Sequence, residues 1–197
     1  HEHEMNTLAG KFYLLKTKAD KEKNYLGPAA KAAQRALEIY SQLHDTAGIA
    51  GCYSQMGSIA WKKHDYDNAL NLFTSALNLY RTVHDDNAIG QTLLNLGIVH
   101  TDMNRFDQAE EYFRRSLEHY SGLKNPLGEA GAFHYLGVYY FRRARLKEAE
   151  DYYTRAWKIR LSAGDTLGAT GSLINLIQVY RDLRQPEKAM SASGMAC

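Results

Sequence analysis

Eight histidines, two cysteines and 22 acidic residues are what this 197-residue chain offers for catalysis or metal binding. Their spacing speaks against both. No His-Glu-x-x-His helix, no glycine-rich phosphate loop and no nucleophile elbow occurs. His1 and His3 alternate with Glu2 and Glu4 ahead of Met5, as in a purification tag, so residues 1–4 are set aside. His44 and His84 recur in one connecting segment and His64 stands in another. His100 shares a register with Tyr140 and Tyr180, which points to packing rather than ligation. Cys52 and Cys197 are too far apart for a disulfide framework or a zinc spacing, and free thiols suit a reducing, cytoplasmic setting. Glu110 and Glu111 precede Arg114 and Arg115 by four residues, which is the pattern of solvated ion pairs on a helix face. With no nucleophile, base and orienting group assembled, the expectation is a non-enzymatic protein without cofactor or metal.

What remains is the chemistry of recognition: hydrogen bonding and burial of apolar surface. Hydrophobic residues make up 45% and charged residues 23%, the composition of a folded globular chain. A net charge of +2 lacks the basic excess of a dedicated nucleic-acid binder. No apolar run approaches the ~20 residues of a membrane span. Protein or extended peptide is therefore the expected partner, with neither nucleic acid nor membrane.

The elements that position these groups repeat every 40 residues. Met56-Gly57 is followed at that interval by Leu96-Gly97, Leu136-Gly137 and Leu176-Ile177. Ala29, Ala69, Ala109, Ala149 and Ala189 form a second column, and Phe73, Phe113 and Tyr153 a third. No insertion or deletion is needed from residue 25 to the end. Each period holds two amphipathic helices with apolar residues at i, i+3, i+4 and i+7. The first begins after Asp45, Asp85, Asn125 and Asp165, whose side chains suit N-caps. Pro126 follows at the first helical position, where its missing N–H costs nothing. The second begins near residues 66, 106, 146 and 186. Mid-helix glycine costs about 1 kcal/mol against alanine. Its recurrence at Gly57, Gly97 and Gly137 therefore predicts tight helix crossings.

The series Phe133, Leu136, Gly137, Tyr140, Ala149, Tyr153, Ala156 resembles the tetratricopeptide repeat pattern, as does Leu93, Leu96, Gly97, His100, Ala109, Phe113, Ser116. The usual repeat of that family is about 34 residues; the longer period here is similar to repeats of bacterial transcription activators, peptide-sensing regulators, spindle-orientation adaptors and kinesin light chains. The resemblance implies an all-α, right-handed superhelical solenoid of antiparallel helical hairpins. One array is expected over residues 5–197. It has a degenerate unit at about 6–44, full repeats at 45–84, 85–124 and 125–164, and an incomplete one at 165–197. Ile177 departs from the glycine column, and Ser193-Gly194 stands where other repeats carry Phe73-Thr74. The short last helix reads as a truncation whose uncapped end would favour self-association.

In this family the first helix of each pair lines the concave wall, and the resemblance puts Gln55, Trp61, Lys62, Asn95, Ile98, Asp102, His134, Tyr135, Val138, Phe141, Arg142, Asn175, Gln178 and Arg181 there. Asn95 and Asn175 share one register, and an amide that both donates and accepts can pair with a peptide backbone regardless of its sequence. Trp61, Tyr135 and Phe141 are anchors of the kind interfaces favour. Lys62, Arg142 and Arg181 interleave with Asp102 and Asp182, a mixed wall rather than an acid-binding one. Gly131 and Tyr135 stand where a clamp for a C-terminal carboxylate needs Lys and Arg, which excludes that subclass. The expected function is a scaffold that binds a peptide or protein segment in its groove. The alternatives are a peptide-sensing module of a larger signalling or transcription protein, and a self-assembling structural module.

Overall fold

The structure, a computed structural model, describes residues 2–195 and contains ten helices and no strand among them. They are α1 (Glu2–Glu22), α2 (Leu26–Gln42), α3 (Thr46–Lys62), α4 (Tyr66–Thr82), α5 (Asp86–Asp102), α6 (Phe106–Gly122), α7 (Pro126–Arg142), α8 (Leu146–Ser162), α9 (Thr166–Asp182) and α10 (Pro186–Met195). The chain packs as two compact units, His1–Val99 and His100–Cys197, so the division falls inside α5. In the first unit α1 packs on α2 and α3, α2 on α3, and α3 on α4. In the second, α6 packs on α7, α7 on α8, α8 on α9, and α9 on α10. Cys197 lies outside the described residues.

The helices start where the Asx residues predict. Asp45, Asp85, Asn125 and Asp165 each accept a hydrogen bond from the backbone N–H three residues on, at 2.9 to 3.0 Å. They stop by a device the sequence hides. Asn24, His44, His64, His84, Asn104, Lys124, Ala144, Gly164 and Arg184 all have left-handed backbone, with φ between 52° and 75°. The next residue then donates its N–H back across the turn, as from Asp65 to the Ala60 carbonyl at 3.0 Å. This closes the last helical turn in the Schellman manner. Gly164, Asn24 and Asn104 are of types that favour this conformation, whereas Lys124, Ala144 and Arg184 are not. The loop histidines therefore serve as helix stops.

The glycine column marks close crossings. A Cβ on Gly57 would sit 3.0 Å from the Phe73 ring, and one on Gly137 only 2.6 Å from that of Tyr153. The first unit shows the compensating arrangement: Thr17 and Ala33 occupy the registers of Gly57 and Phe73, and both are fully buried. Bulk removed from one helix reappears on the other, conserving volume at the crossing. The pair Ile177 and Ser193 has the same inverted sizes, and α9 keeps its full 17 residues.

Candidate functional site

The first-of-pair helices hold the candidate residues, and the structure sorts them by what already engages each. In the first unit, Gln55 accepts a hydrogen bond from Lys21 Nζ at 2.8 Å, and Lys62 Nζ donates to the Lys21 carbonyl at 3.2 Å. Both are thereby tied to α1. Burial, then the neighbouring Lys62 charge, lowers the Lys21 ammonium pKa below its usual range. Asn95 is half-buried and uses its Oδ1 to accept from Gln91 Nε2 at 3.2 Å. Trp61 and Ile98 are half-buried, between core and solvent.

In the second unit, a 3.1 Å hydrogen bond between His134 Nδ1 and Ser172 Oγ links α7 to α9. The His134 ring also meets the Tyr153 ring edge-on at 5.6 Å. Burial, reinforced by the Arg160 charge, pushes the pKa of this imidazole down to about 4. His134 is therefore a neutral group held inside the layer. Tyr135 stacks on Phe113 with centroids 6.0 Å apart, and burial raises its phenol pKa. Val138 and Phe141 are half-buried beside it in sequence. Arg142 reaches Asp102 at 2.7 Å, so this cation is already neutralised. On α9, Gln178 donates to Asp182 at 2.9 Å, Arg181 is exposed and Asn175 is half-buried. Ile174, 57% exposed, is an apolar group on the same helix.

Clefts on the described surface include one lined by Met56, Ile59, Lys63 and Leu72 and another lined by Trp157, Leu173, Tyr180 and Lys188. Among the described residues no group of three His, Cys, Asp or Glu side chains could hold a metal. Within the same limits no helix is long and apolar enough to cross a membrane.

One polar cluster escaped the sequence reading. Glu110 is more than the solvated partner of Arg114: Tyr139 and Tyr140, both buried, each donate a hydroxyl to it at 2.8 Å. Arg114 adds a 2.6 Å contact and Arg145 lies over the Tyr140 ring at 4.7 Å. Burial would raise the Glu110 carboxyl pKa, but the hydrogen bonds from Arg114, Tyr140 and Tyr139 outweigh it and hold it below the ordinary range. The cluster ties α6 to α7. The consecutive tyrosines at 139 and 140 were the signal, since two adjacent phenols on a buried helix face both need acceptors.

Paired helices of even length, glycine-aromatic crossings and an exposed first-helix face define an all-α helical-hairpin repeat protein. A tetratricopeptide repeat profile matches residues 48–122 and again 88–162, together more than half of the chain. The chain belongs to the tetratricopeptide repeat family. No curated protein matches it in sequence. Among solved structures, a Rap protein complexed with competence and sporulation factor is similar at TM-score 0.87 and 19% identity, over 96% of this chain and 53% of that one. A Rap conjugation gene regulator in complex with a Phr peptide gives TM-score 0.83 and 20% identity, over 95% and 52%. A signal-transduction ATPase with numerous domains and a tetratricopeptide repeat sensor, from Pyrococcus horikoshii, gives 0.77 and 19%, over 94% and 29%. The chain thus spans about half the length of the Rap structures. At these identities the likeness shows the fold, a tetratricopeptide-like helical-repeat solenoid.

Proposed function

We propose that this chain is a protein-interaction scaffold that holds an extended segment of another protein on the exposed face of its first-of-pair helices. The observation that carries this reading is the set of half-buried groups on α7 and α9: Val138 and Phe141 on α7, and the Asn175 amide on α9 with Arg181 exposed beyond it in sequence. Partly covered aromatics offer area at low ordering cost, and an amide can serve a peptide backbone in both directions. Groups spread along the length of a helix suit a strand-like segment better than a small molecule. Trp61, Ile98 and Asn95 would do the same work within the first unit. His134 and Tyr135 act from beneath by fixing the wall, while Gln55, Lys62, Asp102, Arg142 and Gln178 must exchange internal partners to meet a ligand.

That one similar structure is a complex with a Phr peptide and another a complex with competence and sporulation factor favours a second, finer reading: the chain is the peptide-sensing part of a larger regulator. Both readings share one test. Linear peptides selected from a displayed library are titrated against the chain and its Phe141→Ala and Asn175→Ala variants. Each substitution is expected to weaken the selected peptide by about tenfold, since truncating an anchor costs above 1 kcal/mol. Unchanged affinity in both variants would place binding elsewhere.

A further inference from the structure

One column of the repeat breaks at a cleft. His100, Tyr140 and Tyr180 share a register and all carry rings, whereas the same register in the repeat before them holds Ala60. In the second unit each of these rings is engaged. His100 stacks on Tyr112 at 5.2 Å. Tyr140 stacks on Tyr152 at 5.2 Å, nearly parallel. Tyr140 is 4% exposed, and Glu110 accepts its hydroxyl at 2.8 Å. Lys188 Nζ lies 5.3 Å from the centre of the Tyr180 ring.

In the first unit the registers of Glu110, Tyr140 and Tyr152 are taken by Ala30, Ala60 and Leu72. Helices α3 and α7 both have 17 residues, so nothing shifts the frame between them. A carboxylate and two rings are thus exchanged for two methyl groups and an isobutyl group. The lost bulk corresponds to a cleft of about 170 Å³ between α2, α3 and α4, wholly within the first unit. Its floor is apolar: Ile59 and Ala60 are buried, and Ala30, Met56 and Leu72 are half-buried. Its polar groups, Lys63, Asp65 and Asn68, are exposed and so stand at the mouth. An apolar cavity of about 150 Å³ suffices to hold benzene.

We propose that this cleft receives a phenylalanine side chain presented by a partner protein, in the place that the chain's own Tyr140 fills in the second unit. A ring entering from solvent aims its para carbon at Ile59 and Ala60, where the lining is aliphatic. A phenol in that position would bury an unpaired hydroxyl, which selects phenylalanine over tyrosine. At the mouth Asn68 donates to Asp65 at 3.2 Å. The exposed Lys63 ammonium can then lie over the ring, as Arg145 lies over Tyr140 at 4.7 Å. The site shares no residue with the candidate face of α7 and α9 and does not depend on it.

The test titrates N-acetyl-phenylalanine amide into the full chain, with the tyrosine and leucine amides as comparisons, and follows methyl signals by NMR. The phenylalanine probe should shift Met56 and Ile59 to saturation, leave Val138 unmoved, and bind about tenfold more tightly than the tyrosine probe. Ala60→Tyr with Ala30→Glu rebuilds the Tyr140–Glu110 pair inside the cleft and should abolish this binding. Ala30→Leu should abolish it too; it fills the cleft with the side chain that Leu70 carries at this register and introduces no new polar group. Saturation that survives Ala30→Leu would overturn the inference. So would a tyrosine or leucine amide that binds as tightly as the phenylalanine amide, or shifts centred on Val138 rather than on Met56 and Ile59.

Discussion

Gly137→Ala tests whether the repeat is held by steric crossings or by helix propensity, because the two forces oppose each other at this position. Propensity alone favours alanine by about 1 kcal/mol. Against it, the new Cβ would lie 2.6, 2.7 and 2.9 Å from Cδ1, Cε1 and Cγ of Tyr153. Carbon atoms prefer about 3.5–4.0 Å, so the ring must move by roughly 1 Å. Tyr153 is 2% exposed and its ring already meets His134 at 5.6 Å, so it has little room to move. Overpacking of this kind costs about 1–3 kcal/mol, which leaves a net loss of about 1 kcal/mol. In a chain of this size that lowers the melting temperature by about 3 °C. The internal control is Gly57→Ala, where Phe73 stands at 3.0 Å and a small adjustment suffices; its effect should be close to zero. Thermal unfolding followed by circular dichroism measures both. A Gly137→Ala protein as stable as the wild type, or a Gly57→Ala protein that loses more, would refute the crossing argument. The inverted pair in the first unit adds a further demand. Gly137→Thr combined with Tyr153→Ala should be more stable than the two single changes predict together, because Thr17 and Ala33 already fill those registers.

Ala144 adopts φ 56° with no side chain that reaches a partner, so Ala144→Gly should raise stability by about 1 kcal/mol in the same assay; a loss would mean the left-handed stops are not strained. Acidification tests His134. Its folded pKa of about 4 lies below the ordinary 6.5 of an unfolded imidazole. Between those values the unfolded chain takes up a proton that the folded chain refuses. Stability should therefore fall as the pH drops from 6.5 toward 4, by up to about 3 kcal/mol. Denaturant titrations of wild type and His134→Gln across that window should show the slope shallower in the variant, and parallel curves would contradict a buried neutral His134.

Much of the architecture was legible because its signals are local and recur. Asp45, Asp85, Asn125 and Asp165 announce helix starts within three residues of the groups they cap. The glycine and alanine columns repeat in one frame, so family and fold class followed. The helix stops were only partly legible, since Lys124, Ala144 and Arg184 carry no mark of left-handed backbone; their common place in the period betrays them. Glu110 shows its Arg114 partner four residues away, but Tyr139 and Tyr140 reach it from about thirty residues further on. The candidate face was legible as a set of registers and not as a set of available groups. Gln55 and Lys62 answer to α1, whose sequence matches the repeat poorly, and Asp102 and Arg142 answer to each other.

The most direct measurement of the central claim is the dissociation constant of a selected linear peptide for the wild-type chain and for Asn175→Ala, with Leu8→Glu at an exposed position of α1 as the control. The scaffold reading predicts about tenfold weaker binding in Asn175→Ala and no change in Leu8→Glu. Full affinity in Asn175→Ala together with loss in Leu8→Glu would show that the chain recognises its partners through α1 and not through the α7–α9 wall.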